Sequence, residues 1–511
     1  MDFDQELEVL LKARFALVFV KTTEESRVLD QIRKMCARTE RSLLTWDIAD
    51  GFEAFTGGIK TLPAGPSAVA ALEAIEKWAF DSLFVLKDFD DCWSTAQIRR
   101  KLKNVVSKLR QTRKSIVIIG STNQIPEQLK DDVFLVDFSL PAAADIEQVL
   151  RGMSQVPGAS IRLSERGREK LVRAALGLSA AQATRVFSKA LVCDGVLDDR
   201  HIEMVTEEKR QVIRESQSLE FLPVSETVDD LGGFDMLKEW LGLRERAFTE
   251  DAKKYMLPVP KGILLLGIPG TGKGLAAKTI GGAWHMPILR LDIGSLFSNL
   301  VGETEEHTRK ALHLAEAISP CVLWIDELEK AFTPGDIDRG ASRRALSTVL
   351  TWMQEKQKPC FVVATANDAH ALPAELLRRG TFDEIFFLDL PTIKERREIF
   401  AVHLTKRKRL IRDFDIDQLA DSSEGYVGAE IEQAIISGMY IGFDQRREFT
   451  TADVLAALHR QIPLSVSQSD SIEELRKLLI DGKIQSASFR ETAEAQDAFV
   501  NPTKRRIHLL S

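Results

Sequence analysis

Residues 263–273 read ILLLGIPGTGK, and residues 322–327 read VLWIDE. The first stretch is an apolar strand, Ile263 to Leu266, that runs into a glycine-rich turn and then into a helical pattern from Gly274 to Lys278. Strand, G-x-x-x-x-G-K and helix in that order make a cradle for phosphate. Glycines let main-chain N–H groups point inward with no Cβ in the way, the helix N-terminus favours negative charge, and Lys273 reaches the terminal phosphates. The candidate ligand-binding residues here are Gly267, Pro269, Gly270, Thr271, Gly272, Lys273 and Gly274. The second stretch is an apolar strand ending in two carboxylates. Asp326 is placed to hold Mg²⁺ and Glu327 to orient and polarise an attacking water. Alone, such a pair is ordinarily a solvated strand end; its distance from the cradle gives it chemistry. Asn367, at the end of the following strand, is a candidate for contacting the γ-phosphate or its water, although a lone asparagine more often caps a turn.

Working outward, short β-branched runs alternate with longer helical patterns. Strands are predicted at Ala16 to Val20, Leu83 to Leu86, Ile116 to Ile119, Ile263 to Leu266, Val322 to Ile325, Phe361 to Ala364 and Ile385 to Leu388. Packing helices are predicted at Ala96 to Leu109 and Ile393 to His403. This is the pattern of α/β layers with parallel sheets. It also repeats: KSIVIIGSTN (114–123) resembles KPCFVVATAN (358–367), and SLFVLKDFDD (82–91) resembles CVLWIDELEK (321–330), with Asp88 set opposite Asp326. Two tandem modules follow, at 1–150 and 226–395. Each precedes a helical segment, Ile161 to Val192 and Leu419 to Phe443, giving a lid-like region with linker at 151–225 and a second lid at 396–463. Glu207 to Phe221 reads as a helix leading into a connecting strand, and 464–511 as a helix plus a tail ending in Lys504-Arg505-Arg506.

The chain has 511 residues, 44% hydrophobic and 28% charged, so disorder as the main state is excluded. A formal net charge of −7 gives no global field for nucleic acid or anionic membrane. Five scattered cysteines, with no C-x-x-C pair, argue against a disulfide framework or a zinc knuckle. Histidines form no H-E-x-x-H pattern, and His307 and His313 read as solvated helix residues. The acidic start MDFDQELEVLLKAR lacks a secretory n-region and no apolar run approaches bilayer length, which leads to an expectation of a cytoplasmic protein.

The order of cradle, acidic strand end, Thr365-Ala366-Asn367, Leu376-Leu377-Arg378 and Gly425-Tyr426-Val427-Gly428-Ala429-Glu430 resembles AAA-type P-loop ATPases of the meiotic-clade and protease-associated kind. Asp230-Leu231-Gly232-Gly233 matches that family's D-x-G-G lead-in. Over nearly the whole chain the resemblance is to bacterial and algal-plastid AAA proteins with a degenerate ATPase-like N-terminal half. It implies ATP or ADP with Mg²⁺ as ligands, and a ring, commonly of six subunits, with ATP at each junction. It also implies backbone contact with adenine around Leu231 and Gly232, and a place at the nucleotide for Gly428 and Ala429. Arg378 takes the position of an arginine that reaches into a neighbour's site, and a location in bacterial cytosol or plastid stroma follows. Ala429 stands where related ATPases outside this branch carry a sensing arginine, so that role is absent.

Departures from the pattern shape the expected activity. Gly274 replaces the Ser or Thr whose hydroxyl is an inner-sphere Mg²⁺ ligand, so the cation is held more loosely and turnover falls. Thr381, in Gly380-Thr381-Phe382-Asp383, replaces a second finger arginine. Leu300-Val301-Gly302-Glu303 offers leucine where a pore loop usually carries an aromatic. In the first module Lys21-Thr22-Thr23-Glu24-Glu25 stands where the cradle would be, and Phe89 where the catalytic glutamate would be, so this copy is expected neither to bind nor to hydrolyse ATP. Three readings of function result: an ATP-driven remodeller of a protein partner, a slow nucleotide-dependent switch or scaffold, and, disfavoured by charge, a nucleic-acid motor or loader.

Overall fold

The computed structural model describes residues 3–54, 65, 67–121, 125–155, 160–215, 219–223, 226–248, 250–292, 303–332, 339–356, 358–373, 375–378 and 380–488. The chain divides into two compact units, Met1–Glu207 and Glu208–Ser511. Asn123, Leu300 and the basic triplet 504–506 lie outside the described residues.

In the N-terminal unit six strands, β1 (Leu17–Lys21), β2 (Ser42–Asp47), β3 (Gly51–Ala54), β4 (Ser82–Lys87), β5 (Ser115–Gly120) and β6 (Phe134–Asp137), form one sheet in the order β3-β2-β4-β5-β1-β6. All neighbours are parallel except β2 and β3. Both faces are covered: Phe19, Trp46 and Phe84 pack into one core, Val18, Val85 and Val117 into the other. Burial on both sides explains why β1, β4 and β5 read as continuous apolar runs. Helices Glu165–Ala175 and Ala180–Asp194 follow, with the short pair β7 (Ile161–Arg162) and β8 (Leu197–Asp198).

The C-terminal unit repeats the plan. Strands β9 (Leu219–Leu222), β10 (Gly262–Leu266), β11 (Ile288–Leu291), β12 (Cys321–Ile325), β13 (Cys360–Ala366), β14 (Glu384–Phe387) and β15 (Gln485–Ser486) run in the order β15-β14-β10-β13-β12-β11-β9. Its five inner strands keep the order β6-β1-β5-β4-β2 of the first unit, and each sheet closes that edge with an antiparallel strand, β3 or β9. The lid is helical: Ile393–Lys406, Ile416–Asp421, Gly428–Asp444 and Thr451–Leu458. Gly442 lets that lid close, since a Cβ there would come within 2.7 Å of Phe449 N. The polar segment after Pro463 carries a helix, Ser469–Ile480, and then β15, which adds to the sheet beside β14.

Strand pairing corrects the register of the internal repeat. Leu17 of β1 faces Ile116, as Gly262 of β10 faces Val362. The sheets therefore set Ile116 against Val362, where the matched strings set it against Cys360. On the next strand Phe84 faces Ile116 and Leu323 faces Val362. It follows that Lys87, not Asp88, takes the place of Asp326, and Asp88 takes that of Glu327. Left-handed backbone at both Asp88 (φ 49°) and Glu327 (φ 51°) marks the same kink. Phe89 is then the equivalent of Leu328, and both are core residues. Featureless apolar strands slide against each other in sequence; only the ladder fixes them.

Candidate nucleotide site

The cradle hangs between the C-terminal end of β10 and the helix Lys273–Ala283. Gly270 (φ 82°) and Gly272 (φ 96°) both take left-handed backbone, and a Cβ on Gly270 would meet Val427 Cγ2 at 2.7 Å. Thr271 ties the loop to itself, its Oγ1 donating to Ile268 O at 2.9 Å. Lys273 is only 8% exposed, and its Nζ donates to Gly267 O (2.6 Å) and Ile268 O (2.8 Å). Burial pushes this ammonium down to about 8, against the opposing pull of Glu329, Asp326 and Glu327.

Beside the cradle, β12 delivers the acids. Asp326 Oδ1 accepts from Thr365 Oγ1 at 2.6 Å, and the same hydroxyl accepts from Glu327 N–H at 3.1 Å. Thr365 thus anchors the strand end that presents both carboxylates. Glu327 forms an ion pair with Lys330. Asn367 donates to Glu329 Oε1 through Nδ2 (2.7 Å) and N (3.1 Å). Asp326, Glu327, Thr365 and Asn367 line one cavity of about 470 Å³, together with Leu231, Gly232, Pro269 to Gly274, Gly428 and Ala429. Gly232 sits against the first lid helix, where a Cβ would lie 3.0 Å from Ile399 Cγ1. Glu398 accepts from Gly233 N–H (2.8 Å) and Glu395 from Phe234 N–H (3.1 Å), clamping the lead-in segment. At the lid end Ala429 N–H donates to Gly270 O (3.2 Å), and burial holds His403 below the usual imidazole range.

Of the residues singled out from sequence, Gly267 and Arg378 are not among the cavity's lining. Gly267 packs under the loop, where a Cβ would stand 2.5 Å from Leu388 O, and its carbonyl takes the lysine. Arg378 is exposed on a turn after β13. Residues that the sequence reading passed over include Thr365, Glu329, Lys330, Trp324, Glu395 and Glu398. Thr365, Trp324, Glu329 and Lys330 lie within the strings compared above and Glu395 and Glu398 outside them, but none carries a spacing signal, because Thr365, Glu329, Glu395 and Glu398 act through partners on other elements.

The N-terminal unit shows what replaces a cradle. Thr22 N–H donates to Gly120 O as Gly267 N–H donates to Ala366 O, so Thr22 and Gly267 open corresponding turns. The following helix begins at Glu25, 25 − 22 = 3 positions on, against 273 − 267 = 6 in the C-terminal unit. No loop long enough to wrap a phosphate remains. Glu24, 5% exposed, instead places its carboxylate on Ala180 N–H (2.9 and 3.3 Å), at the start of the helix Ala180–Asp194. Charges are also exchanged: Glu25 opens the helix as Lys273 does, Lys87 replaces Asp326, and the two pair at 3.7 Å. A polyphosphate would meet the Glu25 carboxylate where the cradle offers the Lys273 ammonium, and Lys87 is already engaged by that carboxylate.

Comparison with known proteins agrees with this division. Residues 263–390 match the family model described as ATPase family associated with various cellular activities (AAA). Residues 3–138 match that of the SpoVK-like AAA ATPase N-terminal domain, and residues 144–216 that of its second domain. An AAA domain-containing protein, ycf46, of Trieres chinensis is 43% identical over 494 residues, covering 96% of this chain and 99% of that one. The ATP-dependent zinc metalloprotease FtsH 2 of Petrotoga mobilis is 29% identical over 56% of this chain and 45% of its own. A cell division cycle protein 48 homolog of Archaeoglobus fulgidus is 34% identical over 40% of this chain and 29% of its own. Cradle, acidic strand end and matched length together place the chain in the AAA ATPase family, among the ycf46-type AAA domain-containing proteins.

Proposed function

We propose that the C-terminal unit binds ATP and hydrolyses it slowly, within a ring of subunits, commonly six in this family, and spends the energy on remodelling a protein partner. The observation that carries this reading is the convergence of Gly270, Gly272, Lys273, Asp326, Glu327 and Asn367 on one cavity. Loop amides and the helix start would receive the phosphates, with Lys273 leaving its two loop carbonyls to meet them. Adenine would lie between Leu231, Ile399 and Val402, with the Gly428 and Ala429 main chain alongside. Glu327, released from Lys330, would take the proton of the attacking water, and Asn367 would hold that water in line.

Mg²⁺ fits this chain as a lightly held ion. Among the described residues no three His, Cys, Asp or Glu side chains are grouped to hold a metal. Asp326 would be its protein anchor, the remaining ligands being phosphate oxygens and water, as this ion prefers. When bound it would neutralise charge on the phosphates.

Arg378 would complete the site of a neighbouring subunit, and its exposure supports that reading. The N-terminal unit would serve as an architectural or partner-binding domain, with bacterial cytosol or plastid stroma as the setting. No helix among the described residues is long and apolar enough to cross a membrane. Hydrolysis per subunit should rise with protein concentration as rings form, and Arg378→Ala should remove that rise without loss of ATP binding. Activity that is flat across the assembly range, or unchanged in the variant, would defeat the shared-site mechanism.

A second reading, a nucleotide-dependent switch or scaffold with little turnover, is favoured by one contact: Gly274 lies against the indole of Trp324, so no hydroxyl stands at the cation. Failure of purified protein to hydrolyse ATP while still binding it would select this reading. Stimulation of hydrolysis by DNA or RNA at low salt would instead point to the nucleic-acid motor.

A further inference from the structure

The position after Lys273 is built differently from an ordinary phosphate loop, and the difference extends to a second residue. A Cβ on Gly274 would lie 3.3 Å from Cζ2 and 3.4 Å from Cη2 of Trp324, closer than a side-chain carbon comfortably sits. Trp324 lies on β12 two residues before Asp326, which follows the strand's end, and both line the nucleotide cavity. The tryptophan is 5% exposed and packs with Ala276, Ala277 and Ile280 of the helix that begins at Lys273. Its Nε1–H is buried and has no hydrogen-bond partner among the described residues. A buried donor left unpaired costs free energy that a bound acceptor would return. An indole can only donate; unlike a hydroxyl it has no lone pair to offer a cation.

We propose that Trp324 replaces the hydroxyl that phosphate loops carry after their lysine, filling its space and offering a donor to nucleotide oxygens, so that this site takes nucleoside triphosphate with little dependence on a divalent cation. Gly274 and Trp324 then act as a pair. Restoring the hydroxyl alone would push the new side chain into the ring, while removing the ring alone would leave no ligand for the ion. The proposal rests on the ATP-binding reading above and adds which residue sets the site's demand for metal.

The test is calorimetric titration of ATP into the full chain, once with excess Mg²⁺ and once with EDTA, with thermal melting to verify folding of each variant. Wild type should differ by less than about threefold between the two conditions, because one carboxylate and water hold the ion weakly. Gly274→Ser should bind ATP more weakly with that ratio unchanged. Gly274→Ser combined with Trp324→Leu, which makes room for the hydroxyl, should raise the ratio to about tenfold or more. Trp324→Phe keeps a ring but loses the N–H, and should weaken ATP severalfold in EDTA. A tenfold ratio in wild type, or in Gly274→Ser with Trp324 intact, overturns the proposal. So does a Trp324→Phe chain that matches wild type. These three results stand even if the double variant does not fold. Absence of ATP binding in wild type under both conditions would remove the ATP reading itself, whereas binding with the wrong metal pattern would remove this proposal alone.

Discussion

Raising the pH is a direct probe of the cradle, because Lys273 is buried at the point where phosphate would arrive. Burial lowers its ammonium to about 8 before nucleotide binds. Phosphate favours the charged lysine, so its pKa in the complex lies higher. Affinity should therefore be full below pH 8, fall as pH rises through 8, and level off once the complex's own pKa is passed. At pH 9 about a tenth of the chains still carry the proton, so ATP affinity should be roughly tenfold lower than at pH 7, or about 1.4 kcal/mol. An ordinary lysine near 10.4 would stay almost fully charged at that pH. Phosphate ionisation does not confuse the result, since a phosphate's second pKa near 6 is already passed. Titration calorimetry in two buffers of different ionisation heat reads the affinity and counts protons, and close to one proton should be taken up per ATP at pH 9. Lys273→Met should bind weakly and lose the slope. Constant affinity from pH 7 to 9.5 with no proton uptake would refute the idea that a desolvated lysine guards the site.

Three further outcomes are expected. Glu327→Gln should cut hydrolysis about a hundredfold or more while ATP affinity stays within a few-fold, as removing a general base does; equal loss of both in a turnover and binding assay would deny it that role. In Glu24→Ala the two hydrogen bonds to Ala180 N–H vanish, so the N-terminal unit should lose about 1.5 to 3 kcal/mol in urea unfolding with no change in ATP affinity. Gly442→Ala would force a Cβ to within 2.7 Å of Phe449 N, so the lid should open or lose about 1 to 3 kcal/mol, visible as a lowered melting temperature.

Much of the layout could be read from the chain because both sheets are covered on each face and their strands stand out as apolar runs. The helix Ala96–Leu109 begins and ends where its periodicity says. The cradle was legible because its glycines are demanded by backbone geometry, φ 82° at Gly270 and φ 96° at Gly272. The edge strands β3, β9 and β15 are less visible: they are two to four residues long and partly exposed, and each carries a polar residue (Glu53, Glu220, Gln485), so they give little hydrophobic signal. Repeat register failed for a related reason, since interchangeable Val, Ile and Leu leave the match free to slip. Thr365, Glu329 and Trp324 act through partners on other elements, and no local pattern foretells a partner some 40 positions away, as Thr365 is from Asp326.

The ion pair between Glu25 and Lys87 in the N-terminal unit has a thermodynamic corollary. A ligand stabilises only the unit that binds it, by about 2.7 kcal/mol at a hundred times its dissociation constant. With Glu25 already paired to Lys87 and Glu24 on Ala180 N–H, the N-terminal half should not respond to nucleotide concentration, which urea unfolding with and without ATP would check. Starvation would soften one half of each molecule and leave the other as firm as before.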